Sequence, residues 1–232
     1  MAFLRQNIAD IKSRIKAAAK RSGRNPEDIH IVAVTKNFSP EVVQKAVDNG
    51  LVLLGENRVQ EAHTKIELIK GSVEWHLIGH LQRNKVKMAI SMFSMIQSMD
   101  SLSLAQEIQK RAEQVGKVID VLVQVNIGRE KTKYGIDPDD TESFVEKVAF
   151  FPNMKVRGLM AIAPFKENPE EVRPYFRHLH GILESIKQKS IKNVNMDYLS
   201  MGMSNDFEVA IEEGANMVRI GTGIFGARTK NF

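Results

Sequence analysis

Two patterns of apolar and polar residues follow each other repeatedly along the chain. Short and almost continuous apolar runs, such as residues 29–34 and 119–125, are typical of strands buried on both faces, as in a parallel sheet. Between these runs, apolar residues recur three and four positions apart, which is the pattern of an amphipathic helix. The chain is therefore predicted to alternate between strands and helices.

Eight strands are predicted in this way. They are residues 29–34, 51–54, 74–78, 93–97, 119–125, 156–161, 196–200 and 217–220. Helices are predicted between them, and a further helix over about residues 2–22 precedes the first strand. This order predicts a single (β/α)8 TIM barrel with an extra N-terminal helix, in preference to a doubly wound open sheet. Since little sequence follows the eighth strand, the N-terminal helix is expected to pack where a last barrel helix would lie.

Composition and charge exclude several classes of protein. The chain has no cysteine, which excludes disulfides, thiolate metal sites and cysteine nucleophiles. Its formal charge is +5, but the basic residues are scattered and predict a solvated surface without a nucleic-acid-binding tract. The N-terminus lacks an apolar signal region, and no apolar run has transmembrane length. We expect a cytoplasmic protein with one domain over residues 1–232, because no long loop marks a boundary.

Familiar catalytic and metal-binding motifs are absent from the sequence. There is no G-x-S-x-G, Walker or G-x-G-x-x-G segment. His76 and His80 lie four apart, but the first is on a predicted strand and no carboxylate lies between them. No metal site and no catalytic residue is therefore predicted.

Polar residues recur where the predicted strands end. Lys36 follows the first strand, Asn57 the second and His80 the third. Since TIM barrels carry their sites at the C-terminal ends of the strands, these residues are expected at one rim. At an apolar barrel mouth, burial would lower the pKa of Lys36 and leave a neutral amine able to react with an aldehyde. The alternative is a solvated lysine just beyond a strand.

Residues near the C-terminus suggest a phosphate site. Gly221 and Thr222 follow the eighth strand, where backbone amides are able to hold an anion. Ser204 is predicted to begin the helix after the seventh strand and to share that anion. The alternative is that the glycines serve turn geometry alone. Arg219, within the eighth strand, either faces inward and needs an acceptor such as a pyridine nitrogen, or lies outward beneath a helix.

Five segments carry a resemblance to a known family. They are AVTK at 33–36, GENRVQE at 55–61, WHLIGHLQRNK at 75–85, LSMGMS at 199–204 and VRIGT at 218–222. In this order they resemble the pyridoxal 5′-phosphate (PLP) homeostasis protein family over nearly the whole chain. The resemblance implies a barrel like the N-terminal domain of alanine racemase, which is PLP fold type III.

The resemblance also implies a cofactor and the residues that bind it. PLP would form a Schiff base with Lys36, and Arg219 would face the pyridine nitrogen. Ser204, Gly221 and Thr222 would hold the phosphate.

The resemblance further implies that Asn57 and His80 line the cofactor site. The implied role is PLP homeostasis and supply without robust catalysis, with PLP-dependent apo-enzymes as partners. The alternative is an amino-acid racemase that uses Lys36 and a second base. A monomer is expected, because no long apolar helix face is left for a partner subunit.

Overall fold

The eight strands form a closed parallel barrel in chain order. This architecture comes from a computed structural model that describes residues 2–226; residue 1 and residues 227–232 of the predicted domain lie outside the described residues. The strands are β1 His30–Val34, β2 Leu53–Glu56, β3 Glu74–Leu77, β4 Met95–Met99, β5 Ile119–Val125, β6 Met154–Ala161, β7 Val194–Met203 and β8 Met217–Ile220. β8 pairs with β1 and closes the barrel. The predicted TIM barrel is confirmed and the open sheet is excluded.

Helices surround the barrel. They are α1 Ala2–Arg21, α2 Pro40–Asp48, α3 Val59–Ile66, α4 Val86–Met92, α5 Leu102–Gln114, α6 Thr141–Val148, α7 Arg173–Gln188, α8 Phe207–Glu212 and α9 Thr222–Phe225. α1 packs against α8 and the short α9, as expected. Asn7 donates to the carbonyl of Ile224 at 2.9 Å, and the Arg14 guanidinium lies 4.6 Å from the centre of the Phe207 ring. Within residues 2–226, no helix combines the length and apolar character needed to cross a bilayer.

Two predicted boundaries near the site are wrong. β7 extends to Met203, and α8 begins at Phe207, so Ser204 lies in the turn between them and does not begin the helix. Asp206 stabilises this turn, because its carboxylate accepts a hydrogen bond from the backbone of Met203 at 2.6 Å. The sequence pattern predicted a helix that begins at the serine, but a turn closed by the aspartate stands there.

The second boundary concerns β2. It begins two residues later than predicted and ends at Glu56, a residue that is fully buried. An acidic side chain at a buried strand position does not fit an apolar pattern. The partners that make this burial possible come from α3 and are described below.

Alternation along the strands separates two apolar regions. Outward side chains such as Ala33 and Leu54 belong to the large core beneath the helices. Inward side chains such as Val32 and Val34 pack with Ile78 inside the barrel. The interior is therefore largely apolar along β1, and Lys36 follows this strand at the mouth.

Candidate cofactor-binding site

The predicted site residues occupy one arc of the C-terminal rim. They follow β7, β8, β1, β2 and β3, which are consecutive around the closed barrel. In this order they are Ser204, Gly221, Thr222, Lys36, Asn57 and His80, with Arg219 inside the barrel on β8. Closure between β8 and β1 is what makes the two ends of the sequence neighbours.

Lys36 is half-buried and lies in a small cavity. With Asn37, Asn57, Arg58 and Glu61 it lines a volume of about 180 Å³. Asn37 has a φ of 64°, a left-handed conformation that asparagine adopts more readily than most residues. Its backbone N–H donates to the Glu61 carboxylate. The turn that carries Lys36 is therefore anchored to α3.

A buried ion cluster supports this turn from the helix side. Lys65 on α3 donates to one carboxylate oxygen of Glu56 and one of Glu61, both at 2.7 Å, and to the carbonyl of Thr35 at 2.8 Å. The Thr35 hydroxyl donates to the same Glu56 oxygen at 2.6 Å. Burial raises the pKa of Glu56, while the bonds from Lys65 and Thr35 act to lower it. Within residues 2–226, the second Glu56 oxygen is the buried side-chain atom that lacks a hydrogen-bond partner.

This cluster was not predicted from the sequence. Its signal is an acid at the last position of a strand followed nine residues later by a lysine on the buried face of a helix. Glu56 and Lys65 have this spacing. The pattern was hidden because a lysine is expected on the solvent side of a helix.

Asn57 also lines a second cavity of about 630 Å³, beside His80 and Tyr134. The His80 and Tyr134 rings stack with their centres 3.7 Å apart, and His80 Nδ1 lies 3.0 Å from an Asp100 carboxylate oxygen. Tyr134 thus contacts the face of the His80 imidazole, and Asp100 contacts its edge. Tyr134 was not predicted as a site residue; its signal is a lone aromatic residue in the polar segment between β5 and α6.

Gly79 allows β3 and the segment after β2 to approach closely. A Cβ at Gly79 would lie 2.3 Å from the carbonyl oxygen of Asn57 and 2.7 Å from its Cα. We expect Gly79→Ala to lower the free energy of unfolding by roughly 1–3 kcal/mol, because backbone atoms must move to admit the methyl group. Urea denaturation measures this change. Gly181→Ala on α7, where a Cβ meets nothing within 4 Å, is the control and should stabilise by about 0.5–1 kcal/mol. Equal effects of the two substitutions would contradict the close approach.

Arg219 faces the barrel interior, which decides between the two orientations left open by the sequence. It is 4% exposed, and it donates to the Ser200 hydroxyl and to the carbonyl of Ala161, both at 2.7 Å. Burial lowers the pKa of Arg219 to about 10, with the charge of Asp206 acting in the opposite direction. The guanidinium therefore stays protonated near neutral pH and acts only as a donor.

The phosphate candidates lie beside one another at the ends of β7 and β8. Ser204 Oγ accepts a hydrogen bond from the backbone of Gly223 at 3.0 Å. Gly221 lies next to β1, since a Cβ there would be 3.5 Å from Cβ of Val34. Thr222 is exposed and opens α9. The structure thus joins Lys36 with Asn57 in one cavity and Ser204 with the segment after β8, on adjacent parts of the rim.

This chain resembles known proteins in sequence and in structure. The family model for the alanine racemase N-terminal domain matches residues 6–229. The pyridoxal phosphate homeostasis protein of Aquifex aeolicus is 46% identical over 224 residues, which cover 96% of this chain and 97% of that protein.

Solved structures agree with these matches. PipY of Synechococcus elongatus, in a structure with PLP bound, is 30% identical with a TM-score of 0.84, and the match covers 96% of this chain and all of PipY. Alanine racemase of Clostridium difficile is 17% identical with a TM-score of 0.75, covers all of this chain and 58% of the racemase, and shows the fold alone. The chain belongs to the pyridoxal phosphate homeostasis protein family, and its barrel is that of the alanine racemase N-terminal domain.

Proposed function

We propose that this protein binds PLP as a Schiff base on Lys36 and acts in PLP homeostasis and supply. The observation that carries the proposal is the set of donors on one arc of the rim, where an amine, a buried guanidinium and a hydroxyl lie on neighbouring strands. The PLP-bound PipY structure and the family membership support it.

The chemistry of this donor set fits three groups of PLP: its aldehyde, its phosphate and its ring nitrogen. A lysine amine condenses with an aldehyde, which suits Lys36 at the mouth. Ser204 and the backbone amides of Gly221 and Thr222 suit a phosphate, because hydroxyl and N–H groups bind anions. Arg219 suits an unprotonated ring nitrogen, because a guanidinium has only donors. Asn57 and His80 would line the remaining side of the ring.

Arg219 also bears on what the bound cofactor does. PLP supplies enzymes with an electron sink for amino-acid chemistry. A permanent cation beside the ring nitrogen disfavours its protonation, since like charges repel, and this weakens the sink. The arrangement therefore disfavours chemistry that needs a strongly stabilised carbanion, and by itself it does not decide between a PLP carrier and a racemase. Exchange of an amino-acid α-proton with solvent, at a rate that depends on this protein, would instead support the racemase alternative.

The anchor is tested by chemical trapping. On addition of PLP to the purified protein we expect a visible absorption band, and borohydride should convert the bound PLP to a stable adduct. Peptide mass analysis is expected to locate that adduct at Lys36. An adduct on a different lysine would contradict Lys36 as the anchor, and failure to take up PLP would contradict the proposed function itself.

Further parts of the proposal concern partners and setting. We propose that PLP passes to PLP-dependent apo-enzymes and that the protein is a cytoplasmic monomer with one domain over residues 1–232. Pairing of surface cations supports the absence of a nucleic-acid partner: Arg173, for example, contacts Glu212 and Glu213 at 2.6 and 2.9 Å. Transfer of PLP to an apo-enzyme in the presence of a PLP-trapping reagent would test the handover, and sedimentation equilibrium would test the monomer.

A further inference from the structure

A line of buried polar side chains crosses the largely apolar barrel interior. His76 on β3, Gln97 on β4, Ser200 on β7 and Arg219 on β8 are each at most 4% exposed. Gln97 Nε2 lies 2.8 Å from His76 Nδ1, Gln97 Oε1 accepts from the Ser200 hydroxyl at 2.7 Å, and Ser200 accepts from Arg219 at 2.7 Å. Burying these four groups is costly unless they are bonded, and the line bonds each to the next.

Arg219 and the placement of the Gln97 amide together fix the direction of every bond in the line. Since a guanidinium only donates, Ser200 Oγ accepts from it and has its own hydrogen for Gln97 Oε1. The amide of Gln97 then donates to Nδ1 of His76. A histidine that accepts at Nδ1 is neutral, and burial lowers the pKa of His76 to about 4, which keeps it neutral.

The end of the line at His76 lies away from the proposed cofactor site. His76, with His30, Glu74 and Tyr198, lines a cavity of about 460 Å³ at the N-terminal ends of the strands. Its Nε2 lies 4.0 Å from a carboxylate oxygen of Glu74. The line thus runs from this cavity to Arg219. Within it, the amide of Gln97 is bonded to His76 on one side and to Ser200 on the other.

We infer that Gln97 is a positioning residue for cofactor binding, because it holds Ser200 and Arg219 in the arrangement that presents the guanidinium to the pyridine nitrogen of PLP. A hydroxyl turns freely about its C–O bond, so Ser200 alone does not fix which side carries its lone pairs. The Gln97 carbonyl holds the hydroxyl hydrogen and leaves a lone pair facing Arg219. This inference rests on the proposed function, in which Arg219 faces the ring nitrogen.

The test compares two ligands that differ at the ring nitrogen. They are PLP and its 1-deaza analogue, in which a C–H group replaces that nitrogen. The variants are Gln97→Leu and Ser200→Ala. Met95→Leu is the control, since Met95 is buried on the same strand and takes no part in the line. Dissociation constants are measured for both ligands, and thermal unfolding without ligand reports on the fold.

We expect wild type and Met95→Leu to prefer PLP over the analogue. In Gln97→Leu and Ser200→Ala, PLP should bind about tenfold more weakly, or about 1.4 kcal/mol, while the affinity for the analogue stays nearly constant.

An equal loss for both ligands would make Gln97 a purely structural residue and overturn the inference. Equal affinities in wild type would overturn it too, and leave PLP binding intact. Wild type that binds neither ligand would refute the proposed function. If Gln97→Leu does not fold, the test rests on Ser200→Ala: a lost preference for PLP over the analogue supports the inference, and a retained preference overturns it.

Discussion

Lys36→Ala is expected to abolish both the visible band and the borohydride-stable adduct. In the proposed site, the band and the adduct depend on a bond between the amine nitrogen of Lys36 and the aldehyde carbon of PLP, and alanine offers no nucleophile. PLP should still bind, about tenfold or more weakly, because the candidate phosphate contacts after β7 and β8 and the candidate ring contact Arg219 on β8 are unchanged. Absorbance and mass spectrometry after reduction measure the first effect, and equilibrium dialysis measures the second.

The control for this substitution is Lys85→Ala. Lys85 lines the neighbouring 630 Å³ cavity on the same rim, so its removal also takes a cation from the surroundings of the site. This variant should retain the band and the adduct. An adduct that survives in Lys36→Ala would show that another amine reacts, and the assignment of the anchor would be wrong.

Lys65→Met is expected to lower the free energy of unfolding by roughly 3–5 kcal/mol near neutral pH. Lys65 is the ammonium partner of the fully buried Glu56 carboxylate, at 2.7 Å, and methionine leaves that carboxylate without a countercharge. Removal of one partner of a buried pair costs more than the pair itself contributes, because the remaining charge stays desolvated. Since the same cluster holds the turn after β1, PLP binding should weaken as well. Urea denaturation and PLP titration measure the two effects.

Two further variants separate the ion cluster from a general effect of removing a lysine. Lys45→Met, at an exposed position on α2, should change stability by no more than about 0.5 kcal/mol. The double variant Glu56→Leu/Lys65→Met should regain more than half of the loss, because no buried charge remains. A loss in Lys65→Met no larger than in Lys45→Met would contradict this account of the cluster.

The pH dependence of Lys65→Met follows from the sign of the Glu56 shift. Burial raises the pKa of Glu56, and the opposing bond from Lys65 is gone in the variant. Between the pKa of the unfolded chain and the higher pKa of the folded variant, the folded state holds a proton that the unfolded chain has released, so the stability of the variant falls as the pH rises through this range. The deficit relative to wild type should therefore shrink as the pH is lowered towards about 4, the pKa of an exposed glutamate.

The strands that were predicted best are those that are buried on both faces. β5 and β8 have the predicted bounds, because apolar residues dominate each run and a polar residue or a glycine directly follows it. β7 was predicted too short, since it continues through Gly202 to Met203 and the serine that follows mimics a helix start. Local sequence contained the polar residue that closes the turn, Asp206, but not the fact that it bonds to Met203.

Some features of the site could be predicted from local sequence, and others could not. Lys36, Asn57 and His80 were identified because polar side chains directly follow apolar strands, and that is a local feature. Gln97 and Ser200 were also visible as polar residues within apolar strands. Their pairing was not, because 103 positions separate them and only the barrel interior brings them together.

By itself, the sequence determined the alternation of strands and helices, the polar residues at the strand ends and the family segments. These follow from periodicity and residue type, which act over a few positions along the chain. The tertiary structure alone decided that Arg219 points inward, that Lys65 pairs with Glu56 and that Ser200 bonds to Gln97. Each depends on strand register and on burial of charge, and these are set by contacts between segments distant in sequence.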